Sequence, residues 1–119
     1  MRVLSLILLV LAGLVLTACG DTRPALTFSP DALPAARVGQ PYTATITVSG
    51  NVTPVGGAGV EPGSLPPGLV LQHRNEDDQI EITGTPEASG TFTFTIDVWC
   101  YGTNQSGQTG ERSYTLVVE

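Results

Sequence analysis

The side chains with chemical potential fall into a few groups. Trp99 and Tyr101, two residues apart, are aromatic surfaces able to stack on a sugar or anchor a protein contact. Glu76-Asp77-Asp78 is a run of three carboxylates, and Asp97 and Glu111 add two more further along. Cys19 and Cys100 are the two thiols, and His73 is the single imidazole. Catalysis needs more than isolated groups. A nucleophile needs a base within reach, and a zinc site needs spaced Cys and His ligands. Neither arrangement is present, nor is a phosphate-cradling glycine loop, a G-x-S-x-G elbow or a pair of catalytic carboxylates. The sequence therefore predicts a protein that is not an enzyme and carries no resident cofactor. His73 reads as an exposed loop residue.

These groups must be held by elements, and the elements read as strands. Thr91 to Tyr101 alternates strictly. Phe92, Phe94, Ile96, Val98 and Cys100 fall on one face; Thr93, Thr95, Asp97, Trp99 and Tyr101 fall on the other. A period of two marks a half-buried antiparallel strand. It sends Trp99 and Tyr101 outward and Cys100 inward, where a free thiol behaves as a small hydrophobe. Tyr42 to Val48 repeats the pattern, with Tyr42, Ala44, Ile46 and Val48 inward. Tyr114, Leu116 and Val118 mark a closing strand. Ile80/Ile82 and Leu69/Leu71 mark two short ones, and Leu26 and Phe28 begin a first. Val52 to Val60 holds one more, loosened by Gly56, Gly57 and Gly59. Turn residues separate the runs: Ser49-Gly50-Asn51, Leu65-Pro66-Pro67-Gly68, Gly84-Thr85-Pro86, Ser89-Gly90 and Ser106-Gly107. About seven short strands with such punctuation predict an all-β sandwich or barrel.

Charge narrows the partners. Five basic residues, all Arg, face eleven acidic ones, for a formal net charge of −6. An acidic surface argues against nucleic acid.

The first residues form a different unit. Met1-Arg2 is a short positive start, and Val3 to Leu16 is apolar apart from Ser5 and Gly13. These 14 residues fall short of the about 20 that span a bilayer. A basic start, an apolar run and small residues before a break are the parts of a secretory signal. Leu16-Thr17-Ala18-Cys19 resembles the bacterial lipobox: an aliphatic residue, a small or β-branched one, a small one, then Cys. The resemblance implies a diacylglycerol on the Cys19 sulfur through a thioether, and cleavage before Cys19. The organisation then reads as a signal peptide over 1–18, a lipidated cysteine and short tether over 19–24, and one domain over 25–119. In Gram-negative lipoproteins, Asp directly after the cysteine retains the protein at the inner membrane. Gly20 stands there, so the outer membrane is the expectation in such a cell.

Within the domain, three segments carry a further resemblance. Leu65-Pro66-Pro67-Gly68-Leu69-x-Leu71, then Ile82-Thr83-Gly84-Thr85-Pro86, then Gly90-Thr91-Phe92-Thr93-Phe94-Thr95-Ile96 resemble a bacterial family of immunoglobulin-like domains known as "putative Ig". Val38-Gly39-Gln40-Pro41-Tyr42 and Tyr114 to Val118 fit its second and last strands. The resemblance implies an immunoglobulin-like, cadherin-like Greek-key sandwich. Where that family has a short Asp-x-x-Thr-Gly turn, this chain has the longer, acidic His73-Arg74-Asn75-Glu76-Asp77-Asp78. Cadherin-like domains often bind Ca²⁺, which takes six to eight oxygens. The resemblance therefore implies a calcium set of Glu76, Asp77, Asp78 and Asp97, with Glu111 as an added carboxylate. The plain alternative is a solvated hairpin tip.

The functional expectation is a membrane-anchored lipoprotein of the cell envelope, outside the cytoplasm, that presents a non-enzymatic binding module to an envelope protein. Two alternatives stand beside it. One is a carbohydrate- or peptidoglycan-binding accessory that uses Trp99 and Tyr101 on a glycan. The other is a calcium-dependent, cadherin-like adhesion module.

Overall fold

A computed structural model describes residues 22–119. Leu16, Thr17, Ala18 and Cys19 lie outside the described residues.

Seven strands follow in chain order: β1 (Thr27–Ser29), β2 (Tyr42–Ser49), β3 (Val55–Val60), β4 (Leu69–His73), β5 (Gln79–Gly84), β6 (Gly90–Cys100) and β7 (Thr109–Val118). They form two antiparallel sheets, β1-β2-β5-β4 and β3-β6-β7. The chain crosses between sheets after β2, β3 and β5, and β4-β5 and β6-β7 are hairpins. This is the strand order of a constant-type immunoglobulin sandwich: the alternation and the turn residues predict the seven strands, and the family resemblance implies the immunoglobulin-like arrangement.

The core follows from the period-2 pattern. The inward residues of β2 (Tyr42, Ala44, Ile46, Val48), β5 (Ile80, Ile82), β6 (Phe94, Ile96, Val98, Cys100) and β7 (Tyr114, Leu116, Val118) are buried. Ile46, Ile80, Ile82, Ile96 and Leu116 are fully so. Burying an Ile or Leu side chain is worth about 1.5–3 kcal/mol, so these five positions hold the sheets face to face. Phe92, predicted inward, is only partly buried at the rim of the core, as are Leu65 and Leu71.

The Leu-Pro-Pro-Gly and Gly-Thr-Pro segments prove to be two halves of one clasp. The Leu69 amide bonds back to the Pro66 carbonyl at 3.1 Å, closing a turn. Gly68 has φ +94°, a conformation open chiefly to glycine. Its carbonyl accepts the Thr85 amide at 3.2 Å, and the Pro67 carbonyl accepts the Glu87 amide at 2.8 Å. A Cβ at Gly84 would stand 2.1 Å from the Gly68 oxygen, so the two backbones meet where no side chain fits. Pro66 and Pro86 are fully buried beside them.

Two tyrosines fasten the segment that joins β1 to β2. Tyr114 donates to the Pro30 carbonyl at 2.9 Å and Tyr42 to the Pro34 carbonyl at 2.8 Å. Burial raises the pKa of both phenols above the ordinary value. Beyond them, Ala36 bridges Val118 in parallel.

Candidate functional site

Trp99 and Tyr101 come together at the end of β6, as the alternation predicts. Trp99 is 48% exposed. Tyr101 is half-buried. Their rings meet edge to face, 5.4 Å between centroids at 82°, a geometry worth about 0.5–1.5 kcal/mol beyond burial. The Tyr101 hydroxyl donates to Asn75 Oδ1. Its amide donates to the Pro54 carbonyl at 3.1 Å, and Thr53 Oγ1 donates to its carbonyl at 2.6 Å. Tyr101 is thus fixed from three sides and braces the indole.

The floor under Trp99 was hidden from the strand pattern. The β3–β6 register shifts between Val55 and Gly57, a bulge that leaves Gly56 unpaired. A Cβ on Gly56 would lie 2.1 Å from Trp99 Cζ3, and one on Gly57 2.4 Å from Trp99 Nε1. The indole therefore covers both glycines with one face. Gly56 and Gly57 do not loosen β3; they make room for the ring. A Gly-Gly pair inside a strand is itself a signal of close approach, and it is the clue that points here.

Asp97 and Glu111 stand on the same outer face. They are directly opposite each other in the β6–β7 register, two pairs before Trp99 and Thr109. Both carboxylates are exposed.

The acidic loop is built otherwise. Two of its carboxylates are used to hold the loop in place. Asp77 Oδ1 accepts the Gln79 amide at 3.0 Å, and Asp78 Oδ1 accepts Asn51 Nδ2 at 2.9 Å. His73 Nε2–H donates to the Asp77 carbonyl at 2.7 Å. Glu76 takes a positive φ of 69°, and its amide bonds the Val55 carbonyl at 3.1 Å. His73 is the last residue of β4, paired with Ile80 and half-buried, rather than an exposed loop residue. Asp97 lies apart from this loop, facing Glu111. Among the described residues, no three His, Cys, Asp or Glu side chains gather as a metal set.

Two residues complete the end of the sandwich. Cys100 is a buried free thiol. Burial chiefly, and Asp78 in addition, push its pKa up, against the lowering effect of Arg23, so the reactive thiolate is disfavoured. Gln108, in a run of polar residues that reads as solvent loop, is buried instead. Its amide donates to the Pro24 and Gly50 carbonyls at 2.8 and 3.0 Å, and its Oε1 accepts the Val52 amide at 2.8 Å. Arg23 donates to the Ser106 carbonyl at 2.8 Å. The residues just after the described start thus lie fastened against the β6–β7 loop.

No curated protein sequence matches the chain. Among solved structures, it is similar to the SrpA adhesin of Streptococcus sanguinis, with TM-score 0.62 and 14% identity over 85% of this chain and 59% of that one. A mutant of the same adhesin aligns with TM-score 0.59 and 12% identity, over 83% of this chain and 57% of that one. The chain thus spans less than two thirds of those structures. A chimeric titin Z1Z2 functionalised with a peptide from decorin aligns with TM-score 0.53 and 15% identity, over 83% of this chain and 98% of that one. At such identities the likeness shows the fold alone. The sequence model of the family described as "Putative Ig domain" matches residues 24–119, nearly the whole described chain, and this protein belongs to that family.

Proposed function

We propose that this protein is a lipid-anchored envelope protein whose immunoglobulin-like domain is a non-enzymatic interaction module, and that the outer face of β3-β6-β7 around Trp99 contacts a partner protein. One observation carries the reading. Trp99 lies with one face on Gly56 and Gly57 and is 48% exposed, so an aromatic surface is fixed in place yet open to solvent. An ordered aromatic loses little entropy on binding and is the commonest kind of interface anchor. Adhesin and titin domains of similar fold are consistent with a binding module. The anchor rests on Leu16-Thr17-Ala18-Cys19: the lipid on Cys19 would hold the domain at a membrane surface, the outer membrane in a cell with two.

The test is photo-cross-linking in the cell with Cys19 intact. The cross-linking residue replaces Thr109, directly opposite Trp99, or Asp77 in the acidic loop. A discrete protein adduct from Thr109 and none from Asp77 is the expected result. No adduct from either site, with the protein still in the membrane fraction, would sink the proposal. Cys19→Ala should release the protein from that fraction.

A flat indole with an open face also suits a neutral glycan, whose apolar C–H face stacks on an aromatic ring. Retention on a glycan matrix that Trp99→Ala abolishes would favour this second reading.

A further inference from the structure

The outer face of the β6–β7 hairpin holds a charge that the fold leaves unanswered. Like charges directly opposite on an antiparallel pair repel, and Asp97 and Glu111 are such a pair. Among the described residues, ion pairs join Arg37 to Glu119 and Arg112 to Asp31, and neither Asp97 nor Glu111 takes part in one. Arg112 is next to Glu111 in sequence, but alternation turns it to the other side of β7, where it sits 5.4 Å over the Tyr114 ring.

Trp99 is the next outward residue after Asp97, about 7 Å along the strand. Asp97, Trp99, Thr109 and Glu111 border one hollow of about 320 Å³. An electron-rich ring face and two carboxylates thus surround a single space.

We propose that this hollow receives an arginine side chain from a basic segment of the partner protein. The inference rests on the reading that this face meets a protein. The guanidinium would stack on the open face of Trp99 and donate hydrogen bonds to Asp97 and Glu111. Charge complementarity selects the occupant. A cation removes the repulsion between the two carboxylates, which a neutral ligand does not. A planar, forked guanidinium suits both a stacking surface and carboxylate acceptors, which the point charge of a lysine does not. The chain as a whole carries the same sign, with a net charge of −6 and no lysine.

Trp99 is the single tryptophan of the chain, so its emission reports the site directly. The experiment titrates the full-length protein, in non-ionic detergent micelles at low salt, with a capped hexa-arginine peptide. A saturable change in Trp99 emission is expected, weakening as salt is raised. Asp97→Asn/Glu111→Gln should weaken the affinity at least about tenfold, because it removes both charged acceptors. Glu61→Gln/Glu87→Gln makes the same change in net charge outside the hollow, and should leave the affinity within about twofold. Equal weakening in the two double variants would mean attraction to bulk acidity and would overturn the proposal. Binding without a change in emission would overturn it too. If a neutral chitin oligosaccharide changes the emission and the peptide does not, the face is a glycan platform and the arginine is wrong. In the cell, an adduct from Thr109 that survives Asp97→Asn/Glu111→Gln would refute the arginine and leave the protein-binding face standing. Loss of every adduct in the unsubstituted protein would refute the face itself.

Discussion

The aromatic pair on β6 and the acidic loop between β4 and β5 are neighbours in space, joined by the Tyr101–Asn75 hydrogen bond. They use their side chains in opposite ways. In the loop, Asp77, Asp78 and His73 each bond to a residue of the same end of the sandwich. Their polar atoms are engaged in holding a longer turn in shape. On β6 the supports are backbone and ring edges: two glycines below Trp99 and Tyr101 beside it. The indole face and the carboxylates of Asp97 and Glu111 stay unengaged. A residue type that can bind is therefore a weak pointer; the stronger one is whether the fold has already taken up its bonding capacity. The loop also borders the larger hollow, about 550 Å³, whose lining mixes Arg74 with Asp77 and Glu81. Size does not separate the two regions, but unanswered charge does.

The sharpest way to break this contrast is to remove the anchor. Trp99→Ala should reduce the Thr109 adduct with the partner by roughly thirtyfold in affinity terms, since a central aromatic anchor is worth about 2 kcal/mol or more. The thermal midpoint should fall far less, because half the ring is already in water. Cross-linking yield and a melting curve on the same variant separate the two effects. An unchanged adduct would place the working face elsewhere.

A smaller effect should follow from disturbing the floor. In Gly56→Ala/Gly57→Ala the new methyl groups would overlap the indole, at 2.1 and 2.4 Å from its atoms. Overpacking of this kind costs about 1–3 kcal/mol, and the ring must lift. Trp99 emission should shift to the red and the melting midpoint should drop by several degrees. If emission and midpoint both hold, the indole does not rest on β3.

What could be read from the chain divides along the same line. Strands β2, β6 and β7 were legible because one face is buried and period 2 exposes it residue by residue. The Leu-Pro-Pro-Gly and Gly-Thr-Pro segments were legible as turns, although the meeting of Gly68 with Gly84 belongs to tertiary structure. The position of Trp99 was legible from alternation alone. Its floor was not, because the one-residue bulge at Gly56 depends on how β3 registers on β6, and no local pattern encodes a register shift. Gln108 was not legible either: polar neighbours hide a side chain whose three bonding partners, Pro24, Gly50 and Val52, are far away in sequence. The acidic loop is not decided by its composition, which is the same whether the carboxylates bind an ion or close a turn.

The loop can be tested by removing one of its internal bonds. Asp77→Ala leaves the Gln79 amide without its acceptor at a half-exposed site, which should cost about 0.5–1.5 kcal/mol. The partner adduct from Thr109 should be unaffected. A loss of adduct would show that the loop, and not only the strand face, meets the partner.

Calcium gives the smallest expected effect and probes the same comparison from the other side. Ca²⁺ takes six to eight oxygens, several of them from carboxylates free to turn toward it. Asp77 and Asp78 already accept hydrogen bonds from Gln79 and Asn51, while Asp97 and Glu111 face each other on a strand pair. To gather them, an ion would have to compete with the loop's own hydrogen bonds and bridge two separate positions. Binding to the native state must raise the melting midpoint by mass action. For the full-length protein in detergent, curves at millimolar Ca²⁺ and in EDTA should coincide. A clear rise with Ca²⁺, abolished in Asp77→Ala, would mean that the loop's bonds are traded for an ion, and that its carboxylates are a second site rather than a closed turn.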